Sequence, residues 1–165
     1  MVSTFVGSVE MKRGRRLLCA ALLLGLPLLL LTPVFKGSAS PDEMPFQIVS
    51  VTLRDENGNP ITQTVRGRFV FVDVVVKNVE TYAYESKPFL LIASLRYGTP
   101  PRQLGLSGYR GSLAAGEQAN PTPGFQIPSD GPIGTYTVRV MVFSNWPALG
   151  GSVAAVPMEK SLVVG

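Results

Sequence analysis

From residue 46 onward, apolar and polar positions alternate with a period of two, the repeat of a strand with one face in a core and one toward water. Phe46 to Arg54 (FQIVSVTLR) places Val49, Val51 and Leu53 on one face. Phe69 to Asn78 (FVFVDVVVKN) is the strongest such segment. Val70, Val72, Val74 and Val76 line one side of it; Phe69, Phe71, Asp73, Val75 and Lys77 make a mixed, partly solvated other side. Pro88 to Tyr97 is apolar on both faces early and polar late, as expected of a central strand. Gly134 to Phe143 groups Tyr136, Val138, Val140 and Val142, Glu159 to Val164 forms a last strand, and a weaker one covers Gly124 to Ile127. No stretch carries a convincing helical period. Of the 14 Pro and 17 Gly, only Pro27, Pro33, Gly7, Gly14, Gly25 and Gly37 precede residue 40, so turn formers punctuate the strand-rich part. The expectation is an all-β sandwich.

A different pattern fills the first 39 residues. Lys12-Arg13-Gly14-Arg15-Arg16 is followed at once by Leu17 to Phe35, 19 residues without a charge. Cations before an apolar run make a secretory signal or an N-terminal membrane anchor, with the cations on the cytoplasmic side. As a helix the run would reach about 28 Å, close to the thickness of a bilayer core. Pro27 and Pro33 interrupt a helix, and Gly37-Ser38-Ala39 offers a peptidase site after Ala39; these favour cleavage. The length favours retention. Both outcomes stay open: anchored with the N-terminus in and the C-terminus out, or secreted. Residues 1–39 therefore read as leader, 40–45 as linker and 46–165 as the module. Cys19, near the start of the apolar run, reads as one more apolar residue, and Met11 begins a cleaner signal than Met1.

Charge and residue inventory narrow the chemistry. The whole chain has 15 Lys and Arg against 11 Asp and Glu. Lys12, Arg13, Arg15, Arg16, Lys36 and Glu10 belong to the leader, which leaves the remainder formally neutral. No basic footprint for nucleic acid remains. The chain has no His and one Cys, so Ser-His and Cys-His nucleophiles, zincin helices and Cys-based zinc sites are excluded. Neither an enzyme nor a cofactor is expected.

The candidate sites are few. Asp55, Asn57 and Asn59 have the D-x-N-x-N spacing of calcium ligands, but Pro60 stands where the loop needs Gly. A turn in which Asn57-Gly58 accepts positive φ is the expectation there. Asp130 to Gly134 leads into Tyr136 as a tyrosine corner, the phenol bonding back to the backbone. Glu80, Glu85 and Lys87 read as a solvated loop. Tyr82, Tyr84, Tyr97, Tyr109 and Trp146 form either core packing or an aromatic platform. Asn145 to Gly151 (NWPALGG) is expected to fold back as a lid over the sandwich end. Exposed instead, Trp146 and Leu149, with Tyr82 and Tyr84, would be a partner or ligand contact.

FVFVDVVVKNVETYAYESKPFLLIASLRY (69–97) resembles the strand, Asn-containing bend and strand of CARDB-like, cell adhesion related, immunoglobulin-like domains. SLAAGEQANPTPGFQIPSDGPIGTYTVRVMV (112–142) is similar to their back half, where a small-Gly-Glu turn precedes a strand and a Pro-x-Gly-x-Tyr corner opens the next. The resemblance spans about Phe46 to Val164. It implies a single immunoglobulin-like or fibronectin III-like antiparallel β-sandwich of about seven strands, and a role in surface display, adhesion or assembly. Expected partners are the membrane, through an uncleaved leader, envelope proteins, or further copies paired through the apolar strand Ser161 to Val164. A carbohydrate- or ligand-binding module using Trp146 and an accessory subunit of a membrane complex are the alternatives.

Overall fold

The computed structural model describes residues 44–81 and 85–165. The leader, the first part of the linker, Tyr82 and Tyr84 lie outside them. Among the described residues there are nine strands, and no helix is long and apolar enough to cross a membrane. The strands are β1 (Phe46–Arg54), β2 (Gln63–Thr64), β3 (Phe69–Asn78), β4 (Lys87–Tyr97) and β5 (Arg102–Leu113), then β6 (Gln118–Ala119), β7 (Gly124–Gln126), β8 (Gly134–Phe143) and β9 (Met158–Val164). They form two sheets. The first runs β1-β3-β6, with β7 also paired to β3; the second runs β2-β9-β8-β4-β5.

The alternation read in the sequence is what joins the sheets. Val70, Val72, Val74 and Val76 of β3 point into one shared core with Leu91, Ala93 and Leu95 of β4 and Tyr136, Val138, Val140 and Val142 of β8. Every one of these is essentially sealed from water. Two inner faces packed in this way remove a continuous apolar layer from solvent, the main favourable term in a fold without disulfides. The arrangement is an all-β sandwich. Its pairings are antiparallel except one: β2 lies parallel to β9, Gln63 opposite Val163 and Thr64 opposite Val164.

β1 departs from the simple alternation. The register to β3 slips between Ile48 and Ser50, so Val49 sits in a bulge and is exposed. An extra residue in one strand reverses which face its neighbours occupy. Phe46 and Ile48 are buried before the bulge, Val51 and Leu53 after it, and the expected Val49-Val51-Leu53 face is corrected accordingly.

Tyr136 makes the expected corner. Its buried hydroxyl donates to the Pro132 carbonyl at 2.6 Å, and burial pushes the phenol's pKa up. Tyr97 stacks on it at 4.9 Å and donates to the Ile133 carbonyl at 3.2 Å, so two phenols tie down one loop.

Candidate functional site

The registers place the loops in two groups. Phe46 pairs with Asn78, Lys87 with Leu113, Leu90 with Phe143 and Val140 with Met158. The start of β1, residues 79–81 and 85–86, the 114–117 turn and the 144–157 loop therefore share one end. At the other end are the 55–62 and 65–68 turns, the 98–101 turn and the loop before β8.

At the first end, β8 is followed by Trp146 and a single 3₁₀ turn, Pro147–Leu149. The turn is closed by Leu149 N–H to the Trp146 carbonyl, Gly150 N–H to Pro147 and Gly151 N–H to Trp146. Ser144 and Ser152 bond across its base, and Asn145 Oδ1 accepts from the Trp146 N–H at 2.8 Å. Gly150 supplies a left-handed φ of 82°, which any larger residue would adopt under strain. A Cβ on Gly151 would fall 2.0 Å from the Asn145 carbonyl oxygen, so this position admits no side chain. The loop is thus tightly built, yet it does not cover the core. Trp146 is 40 % and Leu149 70 % exposed, and no residue of the 3₁₀ turn is buried. Buried Ala154 and Ala155 close the core instead. The lid expectation is corrected: short side chains fill the gap that Trp146 was expected to fill. Tyr109 stays partly exposed, its ring 5.9 Å from buried Phe89, while Tyr97 packs against the core at the other end. Glu80 pairs with Lys87 beside Asn78; Glu85 is exposed.

At the opposite end, Asp55, Asn57 and Asn59 form a self-bonded turn. One Asp55 oxygen accepts from the Asn57 and Asn59 N–H groups at 2.9 and 2.8 Å, and the other from the Asn59 side-chain amide at 3.1 Å. Gly58 has the expected positive φ. Glu56 accepts from the Phe69 N–H and pairs with Arg68 at 3.6 Å. Both carboxylates of this turn are therefore engaged by the protein. No group of three metal-binding side chains comes together among the described residues. The turn does not lead β1 back along itself. After the Arg54–Pro60 bridge the chain crosses to the second sheet as β2.

The hydrogen bonds from Asn59 hold the Asp55 carboxyl below its usual range. Depression below the unfolded value of about 4 means this stabilisation is complete above that pH and drains away as pH falls through it. Asp55→Ala is expected to melt earlier at neutral pH and to lose less on acidification than the parent. Parallel melting curves in acid and neutral buffer check this, and equal acid losses in both proteins would remove Asp55 from the account.

Crossing of β2 to β9 creates a feature that the sequence reading missed. A cleft of about 610 Å³ opens between the Asp55 turn, β2, the start of β3 and the end of β9. Asn57, Gln63, Val65, Arg68, Phe69 and Val163 line it. An aromatic ring, two valines, amides and one guanidinium can hold a mixed polar and apolar ligand. The two carboxylates that line it, Asp55 and Glu56, are both held by groups of the protein.

The strand read as an assembly edge is covered in part, since β2 pairs with it only at Val163 and Val164. Leu162 and Val164 are buried, and β9 lies between β8 and β2. The long edge of the second sheet is β5, which carries Arg102, Arg110 and exposed Leu106. Cations and the glycines of β5 are features that guard an edge against random pairing.

No protein-family model matches the chain, and no curated protein matches it. Among solved structures it is similar to the C-terminal domain of wzt, with a TM-score of 0.57 and 11 % identity, covering 74 % of this chain and 75 % of that one. The sporulation control protein Spo0M from Bacillus subtilis overlaps at a TM-score of 0.42 and 19 % identity, covering 70 % of this chain and 48 % of that one. The second overlap is too loose to carry an argument. The first is a likeness of fold.

Proposed function

We propose that this chain is a non-enzymatic cell-envelope protein, one immunoglobulin-like module carried across the membrane by its leader and acting by contact. Surface display, adhesion and assembly are the roles that fit. The observation that carries this reading is the Asn145–Gly151 loop, whose backbone is fixed by several internal hydrogen bonds while Trp146 and Leu149 face outward. Ordering the loop in advance removes much of the entropy that a partner would otherwise have to supply. Large aromatic side chains on such loops are the commonest energetic centres of interfaces.

A photo-crosslinking residue at Leu149, compared with one at Val65 in the cleft, tests the reading in cells. The expected result is an adduct from position 149 that Trp146→Ala removes, with a stability change below about 1 kcal/mol, as for ordinary surface changes. Adducts from position 65 alone would move the function to the cleft. That second reading, a ligand-binding module, is favoured by the cleft itself. Its contacts would be Phe69, Arg68 and Gln63 in place of Trp146 and the tyrosines. An accessory role in a membrane complex differs only in the partner, and predicts adducts with integral membrane proteins. Intact mass of membrane and supernatant fractions separates an anchored chain from one cleaved after Ala39.

A further inference from the structure

We propose that the partner of the Trp146 end is the lipid surface itself, with Trp146 and Leu149 seated in the headgroup layer of the bilayer that holds the leader. This deepens the contact reading above and rests on Leu17 to Phe35 acting as an uncleaved anchor. Four observations converge on it. The chain enters the sandwich at Met44 and Phe46, on the end that bears the loop, and Phe46 N–H bonds to the Ala154 carbonyl there. Residues 36–45, the segment between apolar run and module, reach at most about 35 Å when fully extended. That tether keeps this end within range of the membrane and gives even a weak contact a high effective concentration.

The third observation is chemical. Ser144 to Met158 (SNWPALGGSVAAVPM) contains no charged residue, although both neighbouring strands carry charges. Along it Trp146, Leu149, Val153 and Val156 are exposed, joined by Val79 from the turn after β3. A tryptophan flanked by aliphatic side chains, in a loop that carries no charge of its own, is the composition that settles at a membrane interface. The fourth is shape. Of these side chains Val79 and Val156 line a hollow with Met44, Phe46, Pro157 and Met158, while Trp146 and Leu149 stand 40 % and 70 % exposed at points outside it. Projecting points need no complementary pocket in a fluid surface, whereas a protein partner would have to match them one by one. Charged groups at this end are mixed in sign and engaged by the protein: Glu80 pairs with Lys87, Glu117 accepts from the Ala114 N–H, and Arg110 donates to Asn145 Oδ1 at 3.4 Å, so the contact is apolar and does not require acidic lipid.

Trp146 is the sole tryptophan of the chain, so its fluorescence reports on this contact alone. The full chain is reconstituted in phosphatidylcholine vesicles, with and without lipids brominated along the acyl chain. Expected are flotation with the vesicles, a blue-shifted emission, protection from iodide, and a large loss of emission with brominated lipid. Leu149→Asp should still float but shift to the red and lose the bromine effect. A floating chain whose tryptophan stays open to iodide and unaffected by bromine overturns the docking proposal and leaves the anchor standing. Protection from iodide that appears only in native membranes, without bromine quenching, assigns the loop to a protein partner and also overturns it. A chain that fails to float overturns the anchor and this proposal together.

Discussion

Asn78→Asp is expected to lower the stability of the module by about 3 kcal/mol at neutral pH, the scale of an unsatisfied buried polar group carrying a charge. Asn78 ends β3, is fully buried, and uses every polar group it has. Its side-chain amide donates to the Leu113 carbonyl at 3.0 Å, and its side-chain oxygen accepts from the Glu80 N–H at 3.0 Å. Its backbone bonds Glu117 and Gly116 on the turn after β5. One residue thus ties the first sheet to the last residue of β5 and to the turn that returns to β6. Aspartate has the same shape but no amide donor, so it would set a carboxylate against the Leu113 carbonyl away from water.

The pH dependence separates this from a simple loss of fit. A carboxyl buried without a cation has its pKa raised above the unfolded value, so its neutral form is the one the fold accepts. The damage should therefore be complete above the raised pKa, shrink as pH falls through it, and be gone below the unfolded value of about 4, where a protonated Asp can donate to Leu113. Asn78→Ala should lose about 1–3 kcal/mol with no such recovery. Urea titrations of both variants at neutral and acid pH decide it. Equal losses at both values would mean that water reaches the site.

Removing residues 159–165 is expected to abolish cooperative unfolding altogether. β9 pairs with β8 from Gly134–Val164 through Val140–Met158 and holds β2 on its other side. Leu162 and Val164 sit in the core at 0 % exposure. Burial of two such side chains stabilises by about 1.5–3 kcal/mol each, and the strand's ladder is lost with them. That sum is comparable with the whole stability of an ordinary domain. Circular dichroism during heating should show no sigmoidal transition. A sharp transition near the parent's would mean that β8 tolerates an open edge. Failure of this truncated chain to assemble would say nothing about edge pairing, because the fold goes first. Charges at Leu106 on β5 are the informative substitution for that question.

How far the sequence could be read depended on burial. β3 and β8 each have one face in the core, so their alternation shows directly in the residues, and β4, buried on both faces, shows as a continuous apolar run. β5 shows neither. Its twelve residues include Gly105, Gly108 and Gly111, two arginines and a mostly exposed face, and its pairing with β4 alone makes it a strand. Gly111 illustrates why no pattern could appear: a Cβ there would meet the Tyr109 and Phe89 rings at 2.9 and 3.0 Å. The Val49 bulge was equally hidden, since one extra residue leaves the composition of β1 unchanged. Candidate sites followed the same rule. The Asp55 turn and the Tyr136 corner are made from neighbours in the chain and were legible. The cleft was not, because Gln63 and Val163 meet only through the parallel pairing of β2 with β9.

That pairing also imposes an order in time. Residues near 63 wait for a strand about one hundred residues further on, and closing so long a loop is slow in folding. Until β9 arrives, β8 presents an open edge beside the nearly finished second sheet. The nascent chain is then most vulnerable to pairing with the wrong neighbour. Delivery of β9 ends that interval, so the rate at which residues 158–164 reach the sheet sets how long this protein remains at risk.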